Sequence, residues 1–302
     1  MADVHSTLGR IPLFAGRSLS GLIVQPLASL TNRTYKIALD GERYVLRIAG
    51  RGTERFIDRT AELRNATLAS SIGVAPDLLF FDAADGTMLT RYIAGTTLDA
   101  ARMREPATLQ LAARTLHRLH ASGVAFAGRM VLFPKLDEYL ALMAARGQDD
   151  RGLLAARARI ERLRPAFEDG ATALVPCHID PTPPNFLLAL QPAGPPAMYL
   201  LDWEYAAMGE AAWDLAGLSI EAEFGETEDR LLLAAYFGDP PPAAVARFRL
   251  HQALLRLVAG SWAVAHAGES EADELLLAMA DRRIAEFEAQ MRSLAASGII
   301  TG

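Results

Sequence analysis

Short apolar runs separated by turns make up most of the first ninety residues. The runs are rich in valine, isoleucine, leucine and tyrosine, and an Asp40-Gly41 turn separates two of them. They predict strands at residues 21–26, 34–39, 43–49, 78–82 and 87–92. Between the third and fourth strands, apolar positions at helical spacing predict a helix over residues 56–70, which Gly73 ends.

Helical spacing of apolar positions dominates beyond Ala94-Gly95, which has the composition of a linker. Pro106 stands where a proline is favoured in the first turn of a helix, and an apolar helical repeat follows it. Similar repeats predict helices at residues 136–145, 153–164, 243–266 and 271–294. The pattern predicts an α+β fold of two lobes, with a small antiparallel-sheet lobe at residues 1–93 and a larger, mainly helical lobe at residues 94–302. A cleft between such lobes is where a ligand site is most expected.

Composition narrows the class of protein. With 51% hydrophobic and 22% charged residues, the chain of 302 residues is typical of a soluble globular protein with an ample core. Its net charge of −6 argues against a broad nucleic-acid-binding surface, and no uncharged apolar run approaches the roughly 18 residues of a membrane span. The single cysteine, Cys177, excludes an internal disulfide and fits a reducing compartment. We therefore expect a cytoplasmic protein without nucleic-acid or membrane partners.

A loop with the spacing His-x-Asp-x4-Asn begins at His178 and contains Asp180 and Asn185. In kinase catalytic loops with this spacing, the Asp accepts the proton of the substrate hydroxyl and the Asn holds magnesium. The spacing alone is a weak signal, because turn-rich loops favour both residue types and chance matches are common. Its interpretation therefore depends on the segment that follows the loop.

An apolar hairpin follows the loop and leads to Asp202. Its strands are predicted at residues 186–190 and 197–201, with a Pro/Gly turn at residues 191–196. If the strands pair symmetrically about this turn, Asn185 faces Asp202. Cross-strand neighbours lie about 4.5–5.5 Å apart, which is close enough to share one ion, and carboxylate and amide oxygens suit magnesium. The loop and the hairpin together predict the active site of a phosphotransferase.

Several motifs resemble those of the choline/ethanolamine kinase family, within the aminoglycoside-phosphotransferase-like, protein-kinase-like superfamily. They lie at residues 30–35, 44–47, 178–185, 202–205 and 213–214, so the resemblance covers most of the chain. The sequence Asp202-Trp203-Glu204-Tyr205 is the most discriminating, because in that family the second metal-binding Asp is commonly followed by an aromatic residue, Glu and Tyr. The resemblance implies a two-lobed, protein-kinase-like fold and the use of ATP and Mg²⁺.

The resemblance also assigns roles around the loop. Asp180 would be the catalytic base, and Asn185 and Asp202 would bind the magnesium ions that bridge the ATP phosphates. His178 would brace the loop by hydrogen bonding, and Asp214 would bond the backbone of the loop. Sites of this kind work mostly by positioning and charge neutralisation.

In the sheet lobe the resemblance implies a nucleotide site around Arg47, whose planar guanidinium suits phosphate. Glu62, on the following helix, would be the partner of Arg47, although a solvated helix face is an equally good reading of Glu62 alone. The hairpin expected to cover the phosphates contains no glycine, so side chains would have to supply the polar contacts. Those side chains are Ser29, Thr31 and Asn32. Tyr92, in the linker, would contribute an adenine contact through its backbone.

The expected acceptor is a small cationic alcohol, with choline as the first choice. A quaternary ammonium group is held best by aromatic faces and nearby carboxylates. Glu221 stands where the family has an acidic residue near choline, Trp262 resembles one of a pair of tryptophans in the choline pocket, and Tyr205 adds a further aromatic group. The partner position of Trp262 is Ala259, so half of the aromatic cage is missing. A smaller or different amino alcohol fits equally well.

Several alternatives stay open on the sequence alone. Within the same class, the acceptor could be ethanolamine, thiamine or an aminoglycoside. A nucleotide-binding module without transfer activity predicts ATP binding with no turnover. A hydrolytic metal site built from His178, Asp180 and Asp202 predicts phosphate release without an acceptor, and it leaves Arg47 unexplained.

Overall fold

The computed structural model describes residues 2–27, 32–50, 57–168, 170, 172–189, 194–268 and 273–300. The chain divides into two compact units. The first unit comprises Met1–Thr97 and Asn185–Ala206, and the second comprises Leu98–Pro184 and Ala207–Gly302. The hairpin that ends at Asp202 thus belongs to the first unit, although much of the helical part of the chain precedes it in sequence.

A five-stranded antiparallel sheet forms most of the first unit, in the order β1-β2-β3-β5-β4. The strands are β1 (Ile23–Leu27), β2 (Arg33–Leu39), β3 (Glu42–Ile48), β4 (Leu78–Asp82) and β5 (Thr87–Arg91). Asp40 and Gly41 both have positive φ angles, 53° and 81°, which suits the tight turn between β2 and β3. Ile37, Leu46 and Leu89 are fully buried along one core of this sheet.

Two α-helices accompany the sheet in the part of the first unit that the structure describes. Helix α1 (Ala2–Gly9), for which the sequence pattern predicts no element, contributes Val4 and Leu8 to the same core. Helix α2 (Arg59–Ser71) begins three residues later than predicted, because the Asp58 carboxylate accepts hydrogen bonds from the amides of Thr60 and Ala61 at 2.9 and 3.0 Å. This N-cap fixes the first turn of the helix.

A three-stranded sheet in the order β6-β8-β9 completes the first unit. Its strands are β6 (Gly95–Thr97), β8 (Phe186–Ala189) and β9 (Ala197–Leu200). Gly95 is required at its position, because a Cβ atom there would lie 2.4 Å from the carbonyl oxygen of Leu188. The expected linker at Ala94-Gly95 therefore continues directly into a paired strand.

The predicted register of the β8–β9 hairpin is wrong by one residue. Ala189 pairs with Ala197, so the connection spans residues 190–196 and is one residue longer than the symmetric turn assumed. The amide of Leu201 donates to the carbonyl of Asn185 at 2.8 Å, which places Leu201 opposite Asn185. Asp202 follows the pair and has a φ of 64°, so the backbone turns out of the strand there.

Helices dominate the second unit. They are α3 (Ala100–Met103), α4 (Pro106–His120), α5 (Leu132–Ala145), α6 (Leu153–Ile160), α7 (Pro165–Glu168), α8 (Ala211–Glu221), α9 (Glu226–Phe237), α10 (Pro242–His266) and α11 (Asp273–Ala296). Helix α10 packs against α5, α8 and α11. Two short antiparallel strands, β7 (Val175–Cys177) and β10 (Ala207–Gly209), complete this unit. The predicted α+β fold class is confirmed. Among the described residues, no helix combines the length and apolar character needed to cross a membrane.

We expect acid to destabilise the protein partly through His251 on α10, which is 1% exposed. Burial lowers the pKa of His251 from 6.5 to about 4, although Glu210 acts in the opposite direction. Between these pH values the unfolded chain takes up a proton that the folded chain does not, so acidification favours unfolding. His251→Gln should reduce the loss of unfolding free energy between pH 6.5 and 4.5 by about 2 kcal/mol.

Urea unfolding at the two pH values measures this effect. His5→Gln, at an exposed histidine, serves as the control. An H251Q variant whose stability depends on pH as steeply as that of the wild type would contradict the expectation.

Candidate active site

A buried ion pair connects β3 to α2 in the first unit. The guanidinium of Arg47 donates to the carboxylate of Glu62, and their side chains are 5% and 1% exposed. The pairing expected from the sequence is therefore present. Arg47 also donates to Oδ1 of Asp202 at 3.2 Å. Burial alone would lower the pKa of Arg47, but the carboxylates of Glu62 and Asp202 raise it above its ordinary value, so the guanidinium keeps its positive charge.

Two further charged side chains extend this cluster, and sequence reasoning did not assign them a role. Nη1 of Arg59 lies 2.6 Å from Oε2 of Glu62 and 3.4 Å from Oε2 of Glu204. Burial, and then the carboxylate of Asp202, raise the pKa of Glu204 to about 7. The sequence offered one signal for Arg59: it precedes Glu62 by three residues, a spacing that brings two side chains together on a helix. Glu204 lies two residues after Asp202, inside the most discriminating motif.

The carboxylates of this cluster could hold a divalent cation. Glu62, Asp202 and Glu204 each offer an oxygen, and these atoms all lie within 4.8 Å of one another. Once Glu204 has lost its proton, three carboxylates against the two guanidiniums leave an excess of negative charge, and hard oxygen donors are the ligands that Mg²⁺ prefers. The donor set therefore fits magnesium. The role of Asn185 as a metal ligand stays a prediction.

Of the three side chains expected to contact the phosphates, only Asn32 lies within the described residues. Ser29 and Thr31 lie outside the described residues. Asn32 is buried, and its side chain forms hydrogen bonds within the first unit. Its Nδ2 lies 3.5 Å from Oε2 of Glu204, and its Oδ1 accepts from the amide of Gly50 at 3.3 Å. Asn32 thus connects the end of the hairpin to the carboxylate cluster.

Tyr92 and Tyr205, the two tyrosines predicted to contact ligands, both belong to the first unit and are half-buried. The amide of Tyr92 donates to the carbonyl of Arg43 at 3.1 Å, so an adenine contact through this amide would have to replace that bond. The Tyr92 ring lies 4.4 Å from Nζ of Lys36 and 5.1 Å from Cζ of Arg43. Contacts of this kind fix the ring against β2 and β3.

In the second unit, Asp214 holds the backbone of the loop that precedes Asp180. Its buried carboxylate accepts from the amide of His178 at 2.7 Å and from that of Ile179 at 2.8 Å, as expected from the sequence. Nε1 of Trp213 donates to the carbonyl of Ile179 at 3.0 Å. Ile179 has a φ of 73°, which is unfavourable for a β-branched residue. Both of its peptide groups are thus fixed immediately before Asp180.

A histidine and a tyrosine that sequence reasoning did not assign to the site lie behind Asp214. Nε2 of His120 lies 3.0 Å from Oδ2 of Asp214, and Nδ1 of His120 lies 2.8 Å from the hydroxyl of Tyr236. His120 is the last residue of α4 and Tyr236 belongs to α9, so no local pattern joins them. Burial raises the pKa of the neighbouring Cys177 well above its ordinary value, which makes that thiol inert as a nucleophile.

Two of the residues predicted to contact the acceptor already have partners within the second unit. Oε1 of Glu221 lies 2.6 Å from Nη2 of Arg283, whose side chain is 4% exposed and which also reaches Glu286 at 3.1 Å. The indole of Trp262 stacks on the ring of His266, with centroids 4.9 Å apart and planes inclined by 28°. An acceptor that used these groups would share Glu221 with a guanidinium and one indole face with an imidazole.

Residues 23–251, most of the chain, match the family described as the phosphotransferase enzyme family. This chain belongs to the phosphotransferase enzyme family. The matched segment contains Arg47, Glu62, Asp180 and Asp202, whereas Trp262 lies beyond its end.

Similar solved structures include a choline/ethanolamine kinase family protein and a choline kinase. A choline/ethanolamine kinase family protein from Mesorhizobium loti is 30% identical with a TM-score of 0.82, and the alignment covers 96% of this chain and 94% of that one. The choline kinase LicA from Streptococcus pneumoniae is 26% identical with a TM-score of 0.74, over 91% of this chain and 96% of that one. Protein LicA of Haemophilus influenzae is 27% identical over 213 residues, which are 68% of this chain and 76% of that protein.

These similarities confirm the membership in the choline/ethanolamine kinase family and the kinase-like fold that the sequence motifs implied. The family member described here is a choline kinase-like phosphotransferase.

Proposed function

We propose that this protein transfers the γ-phosphoryl group of ATP to the hydroxyl group of a small cationic alcohol, with choline as the first candidate. The observation that carries the proposal is the ion-pair cluster of Arg47, Glu62 and Asp202, in which Arg47 and Glu62 are buried, in a chain that belongs to a phosphotransferase family. LicA, a choline kinase, has been solved in complex with AMP, and that structure is 25% identical to this chain. The family membership and the AMP complex of LicA both support ATP as the phosphoryl donor.

In the proposed reaction, Asp180 orients the acceptor hydroxyl and takes its proton. The acceptor oxygen forms a bond to the γ-phosphorus as the bond from that atom to the β–γ bridging oxygen breaks, and ADP leaves. Arg47 would neutralise phosphate charge, since its guanidinium is held in place by Glu62. Asn185 and Asp202 would hold Mg²⁺, which when bound neutralises the negative charge that develops on the phosphates.

The partners of Glu221 and Trp262 favour a second candidate, a primary amino alcohol such as ethanolamine. A quaternary ammonium group donates no hydrogen bond and depends on open aromatic faces and uncompensated carboxylates. Here Arg283 balances part of the charge of Glu221, and His266 covers one face of Trp262. A primary ammonium group can still donate directly to a carboxylate oxygen, so it loses less from this arrangement.

A panel of acceptors tests the proposal. ADP release from Mg-ATP should rise at least about tenfold over the acceptor-free rate with choline or ethanolamine, and less with thiamine or an aminoglycoside. ATP binding without stimulation by any acceptor would support a non-catalytic nucleotide-binding module. Phosphate release that needs no acceptor would support a hydrolytic metal site. Either result would overturn the proposed transfer.

The assignment of Glu221 to the acceptor site leads to a specific expectation. Glu221→Gln should raise KM for the cationic acceptor roughly five- to tenfold and leave KM for ATP unchanged, because a partly compensated carboxylate contributes about 1 kcal/mol. Steady-state kinetics in both substrates measure this. Glu226→Gln, which changes an exposed glutamate five residues after Glu221, is the matched control. Equal kinetic constants for E221Q and the wild type would remove Glu221 from the acceptor site.

A further inference from the structure

Three hydrogen-bonded side chains, Tyr236, His120 and Asp214, connect α9 to the loop before Asp180. The proposed reaction does not by itself assign a role to Tyr236. The hydroxyl of Tyr236 lies 2.8 Å from Nδ1 of His120, and Nε2 of His120 lies 3.0 Å from Oδ2 of Asp214. Asp214 in turn accepts from the amides of His178 and Ile179. His120 and Asp214 are buried, so water cannot replace a lost partner without a change in packing.

Hydrogen-bond chemistry fixes the direction of the bonds between these side chains. An ionised carboxylate only accepts hydrogen bonds, so Nε2 of His120 must carry a proton to bond Asp214. In the neutral imidazole, Nδ1 is then an acceptor and Tyr236 is its donor. Burial, and then the proximity of Cys177 and Asp214, raise the pKa of Tyr236 well above its ordinary value, so its hydroxyl keeps its proton. All three side chains are therefore satisfied in one arrangement.

We propose that Tyr236 is a positioning residue for phosphoryl transfer: its hydroxyl holds the His120 ring so that His120 and Asp214 keep the loop before Asp180 in its unfavourable conformation. This inference rests on the proposed function, in which Asp180 is the base. Asp214 accepts from three donors, and Tyr236 orients the one donor that is a side chain able to rotate. Similar outer hydrogen bonds orient histidines at other functional sites.

The backbone at Ile179 is the part of the loop that needs this support. A β-branched residue at a φ of 73° persists only where its surroundings hold it there. Asp214 holds the amide of Ile179, and the next residue is Asp180. A shift of the Asp214 carboxylate would therefore move the side chain of Asp180, and misplacement by about 1 Å can lower a rate by about a hundredfold.

Tyr236→Phe tests the proposal, because it removes the hydroxyl and keeps the ring. We expect kcat to fall about tenfold, with KM for ATP and for the acceptor changed less than about twofold. Side-chain ¹⁵N NMR gives a second readout that does not depend on activity. In the wild type, His120 should show a proton on Nε2 in slow exchange with solvent and a hydrogen-bonded Nδ1. In the variant, Nδ1 should lose its hydrogen bond, and the Nε2 proton should exchange faster.

Leu232→Val is the matched control, since Leu232 is fully buried one helical turn before Tyr236 on α9. It should lower the melting temperature about as much as Tyr236→Phe and leave kcat and the His120 signals unchanged. A wild-type His120 protonated on Nδ1 alone, or a Y236F variant with wild-type kcat, would overturn the proposal. If the wild type itself has no acceptor-dependent activity, the proposed function fails, and the NMR signals still report whether Tyr236 orients His120.

Discussion

Asp180→Asn is expected to lower kcat for acceptor phosphorylation by about 10³-fold while ATP binding stays near its wild-type level. Asparagine has nearly the same shape as aspartate but cannot take the proton of the acceptor hydroxyl, and a positioned base contributes about 10²–10⁴-fold. The amides of His178 and Ile179 keep their bonds to Asp214, so the loop should keep its conformation. Acceptor-dependent ADP release and calorimetric ATP binding measure the two effects separately.

Asp239→Asn provides the control for this substitution, because Asp239 is an exposed aspartate of the same unit. It should leave both measurements unchanged. A D180N variant with more than about a tenth of the wild-type kcat would contradict the assignment of Asp180 as the base, because a positioned base typically contributes about 10²–10⁴-fold.

Asp202→Asn is expected to have the second largest effect. The substitution removes one carboxylate from the cluster with Glu62 and Glu204 and one charged partner of Arg47. We expect the Mg²⁺ concentration for half-maximal activity to rise at least about tenfold and kcat at saturating Mg²⁺ to fall about 10²-fold. A titration of activity with Mg²⁺ at fixed ATP measures both quantities.

Asp82→Asn is the matched control for Asp202→Asn. The side chains of Asp82 and Asp202 are each 32% exposed, and Asp82 also pairs with an arginine, Arg10, at 3.6 Å. Loss of charge on an aspartate of this kind should not change the dependence on Mg²⁺. A D202N variant with the wild-type response to Mg²⁺ would exclude Asp202 as a metal ligand.

The parts of the fold that sequence predicted well are those with a clear local signal. Tight turns and short apolar runs located β2 to β5 within one or two residues, and the helical repeat located α4 and α10. Helix α8 gave no periodic signal, because Trp213, Leu215 and Ile220 are all buried and apolar residues occur on most of its surface. A helix without a polar face shows no amphipathic period.

Contacts between distant segments were predictable only where a motif implied them. The pairing of Arg47 with Glu62 and the bonds from Asp214 to the loop followed from recognised motifs, and both are present. The hairpin register depended on the length of the connection between β8 and β9, and a Pro/Gly-rich composition is compatible with more than one length. A shift of one residue was enough to place Leu201, and not Asp202, opposite Asn185. The bond between His120 and Tyr236 joins helices that no sequence pattern relates.

The most direct test of the central claim is a product analysis of a single reaction mixture containing the protein, Mg-ATP and choline or ethanolamine. ³¹P NMR and mass spectrometry would quantify the phosphorylated alcohol, ADP and free phosphate together. The account predicts one phosphorylated alcohol for each ADP, with no excess of free phosphate, and the loss of both products in the Asp180→Asn variant. ADP formed with an equal amount of free phosphate and no phosphorylated alcohol would contradict it.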